Sequence, residues 1–374
     1  MAADWNDIEK IDGFAGVGAR MNDSVRPILA QMPAEEAGGD QLKKRFNRWG
    51  LIGMFVFVLA FGVVSGILPD VWWGTVLQFI AFPFLFFGSM ALMMWINRPA
   101  LFAFLVRAGE RFHVQSAAWR EIVGPLDLEY VAVPGKLPYG LGWVGRQSWA
   151  PPEVREMIAR IDQETGMEAA VAVAKDAKLL MHDVIVIGTD AQKEAIANSQ
   201  MERIEDGFHG RRAGIKFDMF EWVEPVDEAP DKYHLIIVLD APIRLSGVTE
   251  LRSRKLSWLV PFGDSDMQPV DLAAKEFTDA YRLKSTDQTE ARALFNPLVM
   301  ARVIDLAHGG AFRAVATGEH LVFDFVGDNR FNISDLGTGE WDEDKLFTAV
   351  RDLAEALELV DALGNAFMVR RGEG

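Results

Sequence analysis

The sequence predicts an α+β domain that an N-terminal hairpin of two transmembrane helices tethers to a membrane. Two observations predict it: two long apolar runs without charge, and helix-like and strand-like periods in irregular order beyond residue 124. The runs are Leu51–Leu68 and Val71–Ile96. Because about 20 apolar residues in a helix cross the roughly 30 Å hydrocarbon layer, each run is long enough once Trp49 and Gly50 extend the first.

The connection between the two runs is short and acidic. Pro69 and Asp70 break the helix, so the two helices should run antiparallel. Basic residues flank the outer ends: Lys43, Lys44, Arg45 and Arg48 before the hairpin, and Arg98, Arg107 and Arg111 after it. The positive-inside bias then predicts a two-pass membrane protein with both termini in the cytoplasm. The alternative, a buried helical pair in a soluble protein, is disfavoured because uncharged runs of this length are rare in soluble cores.

Four regions follow from this interpretation. They are an N-terminal cytosolic extension (1–48), the hairpin (49–96), a juxtamembrane connector (97–123) and a cytoplasmic α+β domain (124–374). The connector alternates apolar groups with spaced arginines. It is expected either to lie along the lipid headgroups or to pack on the domain, and the sequence leaves both open.

Within the domain, periodicity predicts particular elements. Helices are expected at 151–166, 167–181 and 189–204, and strands at 184–187, 215–219 and 233–239, with a hairpin at 312–325. In the last helix, Asp342 suits the N-cap and Gly364 the C-cap. Its apolar stripe favours burial against the domain's own sheet over a coiled coil.

Composition excludes several functions. The formal net charge of −16 and the lack of a sustained basic face argue against nucleic acid as a partner. The chain has no cysteine, which rules out disulfides and thiolate chemistry. The six histidines show no zinc-ligand spacing, so we expect neither a metal nor a cofactor. A metal site composed of residues distant in the sequence is the disfavoured alternative. His234 lies in an apolar strand and is expected to be a satisfied core residue.

One glycine motif is set aside. Gly140, Gly142 and Gly145 match the dinucleotide-binding pattern G-x-G-x-x-G. Such a site needs a strand leading directly into the loop, whereas Pro134 interrupts the approach. The match is attributed to chance.

Two basic clusters are candidate binding sites. His209, Arg211 and Arg212 could together bind an anion or a phospholipid headgroup. A second basic patch follows at positions 252 to 255: Arg252, Arg254 and Lys255. The alternative for the first cluster is a solvated loop before the strand at residue 215, which the pattern favours.

From about residue 200 to 336 the sequence resembles a bacterial membrane-protein family known as domain of unknown function number three-one-three-seven. The residues that carry the resemblance are Glu205-Asp206-Gly207, Gly210, Phe217, Gly247-Val248-Thr249, Glu276-Phe277, Ser285 to Arg292, Asn296-Pro297, Met300 and Phe331. The resemblance implies an N-terminal transmembrane pair in the bacterial inner (cytoplasmic) membrane and no known catalytic residue. It also implies LemA-type membrane proteins as neighbours in a shared envelope complex.

The most specific part of this pattern has a structural interpretation. Asp287, Glu290 and Arg292 are expected to form a capping and ion-pair arrangement at the start of a helix, which Pro297 then interrupts. A structural role is favoured over a binding role.

We find no catalytic constellation in the sequence. It therefore favours a membrane-anchored, non-enzymatic module that binds protein partners or assembles with itself in a bacterial envelope complex. Its expected partners are the lipid bilayer and LemA-type or other membrane proteins. The alternative is an enzyme or binder that acts on a lipid headgroup or another membrane-proximal anion through His209 and the two arginines beside it.

Overall fold

The structure is a computed structural model of the chain. It describes residues 5–33, 48, 72–135, 137, 139–163, 166–176, 203–226, 230–254, 266–271, 275–333 and 341–371. The first predicted span (51–68), the predicted strand at 184–187 and the predicted helix at 189–204, except its last two residues, lie outside the described residues.

In the described residues, nine strands form one antiparallel sheet in the order β1-β2-β3-β4-β9-β8-β5-β7-β6. The strands are β1 (Leu128–Val131), β2 (Ile204–Arg212), β3 (Ile215–Glu224), β4 (Lys232–Asp240), β5 (Thr249–Ser253), β6 (Gln268–Pro269), β7 (Tyr281–Ser285), β8 (Phe312–Thr317) and β9 (His320–Gly327).

Helices pack around this sheet. They are α1 (Trp5–Ile8), α2 (Val17–Arg20), α3 (Arg26–Leu29), α4 (Trp72–Val123), α5 (Tyr139–Gly145), α6 (Pro152–Asp162), α7 (Glu168–Asp176), α8 (Lys275–Ala280), α9 (Gln288–Leu294), α10 (Pro297–Ala307) and α11 (Glu343–Arg371). A π-helical turn (Met21–Val25) joins α2 to α3, and a 3₁₀ turn (Gly124–Leu126) follows α4.

The central strands confirm the predicted periodicity. In β3, Ile215, Phe217 and Met219 are buried while Lys216 is exposed. In β4, residues 234–239 are buried on both faces of the sheet. One face joins the main core, and the other packs against α7 through a second apolar cluster that includes Phe220. The uniform run of apolar residues in β4 follows from this double cover.

The predicted hairpin is also confirmed. Strands β8 and β9 pair from Phe312 with Phe325 to Thr317 with His320. The turn uses Gly318 at φ +60°, a left-handed conformation that glycine adopts without a steric penalty.

The C-terminal helix α11 confirms one predicted end and corrects the other. The Asp342 side chain accepts from the backbone N–H of Asp344 at 2.9 Å, as an N-cap does. Gly364 is not a C-cap, because the helix continues to Arg371. A Cβ at Gly364 would lie 2.5 Å from the Cβ of Ala213, so glycine here permits a close approach to the β2–β3 turn.

The main core contains side chains from the N-terminal region and from the C-terminal helix α11. The apolar stripe of α11 is fully buried: Leu346, Val350, Leu353, Leu357 and Val360. From the N-terminal region, Phe14 and Val25 are also fully buried. Trp119 near the end of α4 lies in the same core and donates to the backbone oxygen of Phe331 at 3.2 Å. The described part of the predicted extension and the end of the predicted connector are thus core elements.

The predicted membrane hairpin needs correction. Among the helices that the structure describes, none is both long enough and apolar enough to cross a bilayer. This finding contradicts the transmembrane tether, the two-pass topology and the inner-membrane localisation. The second predicted span, Val71–Ile96, is not a separate element, because all but its first residue belongs to α4, which has 52 residues. At 1.5 Å per residue α4 is about 78 Å long, and it carries Arg98, Arg107 and Arg111 toward the core.

Candidate functional site

The first predicted basic cluster lies on strand β2, where its side chains have partners within the fold. His209 Nε2 lies 3.0 Å from Glu129 Oε2 on the neighbouring strand β1. Arg211 donates through Nη1 to the backbone oxygen of Gly214 at 3.2 Å. Both contacts hold these side chains along the sheet surface.

Arg212 is separated from the other two. Its Nε donates to both carboxylate oxygens of Asp361 on α11 at 2.8 Å, and its Nη2 donates to the backbone oxygen of Asp12 at 2.9 Å. Neighbouring side chains of a strand point to opposite faces of the sheet. The structure therefore joins Arg212 to the helical layer and does not bring it together with His209 and Arg211.

The second basic patch is divided as well. Arg252 is buried on β5 and is paired with the buried carboxylate of Glu250, which also accepts from Arg313 Nε at 2.9 Å. Arg254 donates to a backbone oxygen of α8 at 3.0 Å. Lys255 lies outside the described residues.

The helix-start motif lies at the beginning of α9. Asp287 Oδ1 accepts from the backbone N–H groups of Thr289 and Glu290, each at 3.0 Å, which makes it the N-cap. Arg292 donates to Gln288 Oε1 at 3.1 Å. Pro297 occupies the first turn of α10, where its missing N–H costs no helical hydrogen bond.

Glu290 fixes a neighbouring loop. Its side chain is buried and accepts from the Ser246 backbone N–H at 2.9 Å, from Ser246 Oγ at 2.7 Å and from the Gly247 backbone N–H at 3.3 Å. The negative charge is satisfied by these donors, and each residue of the motif thus has a contact that supports the fold.

A cluster of three acidic residues at a β-bulge, Glu205, Asp206 and Glu221, was not predicted as a site. Glu205 and Glu221 are directly opposite each other on β2 and β3, and the register shifts between Glu205 and Gly207. The extra residue, Asp206, has φ +46°, a left-handed conformation that is uncommon outside glycine. Two carboxylates directly opposite each other destabilise a sheet. Backbone strain of this kind is common at functional sites.

Hydrogen bonds to this acidic cluster come from several elements. Tyr130 Oη donates to Asp206, and Gln115 on α4 lies 3.4 Å from the same oxygen. Glu221 is fully buried and accepts from the backbone N–H groups of Arg330 at 2.8 Å and Phe331 at 3.2 Å.

The acidic cluster holds protons near neutral pH. Burial raises the pKa of Glu205 to about 7, and the charge of Asp206 adds to the rise. Burial raises the pKa of Asp206 to about 6 against the hydrogen bonds from Tyr130 and Gln115. Burial also holds the pKa of Glu221 well above its usual value, although two backbone donors oppose this. The sequence shows that Glu205 and Asp206 are adjacent, but it does not show that Glu221 meets them, because the bulged register decides which carboxylates come together.

His234 is a satisfied core residue, as predicted. Its Nδ1 lies 2.8 Å from Asp324 Oδ1 and its Nε2 lies 3.2 Å from Glu224 Oε2. Burial lowers the pKa of His234, but the two carboxylates outweigh it and raise that pKa above the usual value. The glycine motif at residues 140 to 145 lies within α5, so it forms no phosphate-binding loop.

A histidine and two carboxylates meet between α10 and α11. Within the described residues, His308, Asp352 and Glu355 place one ligand atom each within 4.8 Å of one another. His308 Nε2 lies 2.7 Å from Glu355 Oε2. Burial raises the pKa of Asp352, against the charges of Arg330 and His308. His308 and Glu355 are 47 positions apart in the sequence, which explains why no short motif shows this cluster.

An exposed aromatic surface lies where α4 meets the segment before α6. We define it by four residues: Trp95, Phe102, Trp143 and Trp149. Trp143 and Trp149 are 44% and 52% exposed, and their ring centroids are 5.7 Å apart. Phe102 lies 5.9 Å from Trp149. Trp95 is 60% exposed and lies seven residues before Phe102, on the same face of α4.

A cavity of about 430 Å³ lies nearby, between α4 and α6. Its walls combine apolar side chains with acidic and basic ones: Glu110, Glu153, Glu156, His113 and Arg160. No group of charges in these walls matches one class of ligand, so the cavity supports no particular chemistry.

Comparisons with known proteins give little further guidance. No family model matches the chain, and no curated protein matches it. Among solved structures, the chain is similar to the mycobacterial trehalose monomycolate transport factor A, with 11% identity over 43% of this chain and 74% of that chain, and a TM-score of 0.25. A likeness at this level carries no argument about fold or function. The family resemblance of the sequence stays a prediction.

Proposed function

We propose that the chain is a non-catalytic interaction module that binds a protein partner through its aromatic surface. The observation that carries this proposal is the contact between Trp143 and Trp149, two large rings that remain about half exposed. Exposed aromatic patches mark interaction sites, and tryptophan is enriched among the residues that dominate binding energy.

Charge indicates the chemistry of the partner. Arg98 is exposed, and its guanidinium carbon lies 5.1 Å from the centroid of the Trp95 ring. Arg146, also exposed, follows Trp143 by three residues. The partner should therefore present aliphatic side chains flanked by carboxylates. Because the chain as a whole carries a net charge of −16, such a partner would be repelled elsewhere and guided to this surface.

The geometry does not favour the alternative, a site for a lipid headgroup or another membrane-proximal anion. That function needs His209, Arg211 and Arg212 in one pocket, whereas their partners lie on β1, in the β2–β3 turn and on α11. The proposal that this partner is a LemA-type protein rests on the family resemblance alone.

Photo-crosslinking in the host cell tests the proposal. The full chain carries a photoreactive benzoylphenylalanine in place of Trp143, and a matched control carries it in place of Glu319, an exposed residue of the β8–β9 turn. We expect one dominant protein adduct from position 143 that position 319 does not give and that Arg98→Glu weakens. Equal adducts at both positions, or adducts at 143 with lipid or with a second copy of the chain alone, would contradict the proposal.

A further inference from the structure

The meeting of His308, Asp352 and Glu355 has a simple structural origin. Asp352 and Glu355 are three residues apart on α11 and therefore lie on one face of that helix. His308 is the C-cap of α10, in a left-handed conformation at φ +45°. The packing of α10 on α11 brings the imidazole to the two carboxylates.

An independent observation points to a ligand at this position. Asp352 is only 3% exposed, and its Oδ1 has no hydrogen-bond donor among the described residues. Its other oxygen, Oδ2, lies 3.8 Å from Arg330 Nη1, beyond hydrogen-bond distance. A buried carboxylate oxygen without a partner is costly, and folded proteins rarely leave one unsatisfied.

We propose that His308, Asp352 and Glu355 bind a divalent transition-metal ion of the zinc type. One imidazole nitrogen and two carboxylate oxygens match the ligands of zinc, whereas magnesium and calcium prefer oxygen alone. Ligands at about 2.1 Å in tetrahedral geometry lie about 3.4 Å from each other. His308 and Glu355, now 2.7 Å apart, would separate by less than about 1 Å.

The site is accessible from solvent. The side chains of His308 and Glu355 are 40% and 21% exposed, which leaves an entry path and room for water as a fourth ligand. Arg351 competes with a cation, because its Nε lies 3.7 Å from Glu355 Oε1 and 4.0 Å from Asp352 Oδ1. Its side chain is 44% exposed and can turn outward. We therefore expect moderate, micromolar affinity.

Calorimetric titration of Zn²⁺ into the chelator-treated full chain tests this site. We expect one Zn²⁺ per chain and no comparable heat with Mg²⁺. His308→Ala and Glu355→Gln should each weaken binding at least tenfold, whereas Arg351→Gln should tighten it. His320→Ala is the matched control, since the His320 side chain is about as exposed as that of His308 and lies 3.3 Å from the carboxylate of Asp240, at the start of β9.

Thermal unfolding without metal shows whether each variant is folded. His308 and Glu355 lie at the surface of the helical layer, so both variants should unfold at nearly the wild-type temperature. Undetectable Zn²⁺ binding to the wild type, wild-type affinity in His308→Ala, or an equal loss in His320→Ala would each overturn the proposal.

Discussion

Replacing Glu250 with alanine should lower the free energy of unfolding by about 3–5 kcal/mol. The Glu250 carboxylate is 2% exposed and is shared by Arg252 and by Arg313, whose Nε lies 2.9 Å from Oε1. Removing it breaks the ion pair with the buried Arg252 and takes a buried carboxylate away from Arg313. Urea unfolding followed by circular dichroism measures the loss.

A conservative variant distinguishes the effect of losing the Glu250 charge on stability from the effect of losing the side-chain volume. Glu250→Gln keeps an acceptor oxygen and should cost less than Glu250→Ala. A loss below about 1 kcal/mol for Glu250→Ala would show that Arg252 is satisfied elsewhere.

The acidic cluster should make the protein less stable as the pH rises. The pKa of Glu205 is raised from 4.5 to about 7 and that of Asp206 from 3.8 to about 6, so the folded state retains protons that the unfolded state has released. The stabilisation is present in full below pH 4 and is lost as the pH rises through 6 to 7. For Glu205 alone the loss between pH 5 and pH 8 is at most about 3 kcal/mol.

Glu205→Gln isolates this effect. The amide does not titrate and can still accept from Asn329 Nδ2, which lies 3.3 Å from Glu205 Oε1. Unfolding midpoints between pH 5 and pH 8 should therefore fall less steeply in the variant. Glu319→Gln, at an exposed carboxylate, is the matched control and should keep the wild-type slope. His234 has a raised pKa and contributes in the same direction, so the test is the difference between slopes. Equal slopes in wild type and Glu205→Gln would refute this account.

Local patterns in the sequence predicted local structure well. The strand β3, the apolar strand β4 and the hairpin at 312–325 depend on neighbouring residues and on burial, and all are as expected. The cap at Asp342 follows from short-range hydrogen bonding in the same way.

Features that depend on long-range contacts could not be predicted in this way. The pairing of Glu205 with Glu221 requires the register of two strands and a bulge. The approach of His308 to Asp352 requires the packing of two helices. Gly364 was predicted to end the helix because its real role, a close approach to Ala213, involves a residue 151 positions earlier in the chain. In each case a distant part of the chain decides the role of the residue.

The membrane prediction failed for a different reason. The prediction assumed that an uncharged run of about 20 residues or more is a separate helix that ends where the run ends. Residues 71–96 are such a run. The structure gives most of that run to a helix that continues through Arg98 and Arg107 and ends in the core at Trp119 to Val123. Hydropathy alone does not show where a helix stops.

The aromatic surface is the proposed binding site for the protein partner. The most direct measurement is the dissociation constant of the partner identified by crosslinking, for the wild-type chain and for Trp149→Ser. We predict that Trp149→Ser weakens binding at least tenfold, because it removes a ring in contact with both Trp143 and Phe102. An unchanged dissociation constant in a folded Trp149→Ser chain would contradict the account.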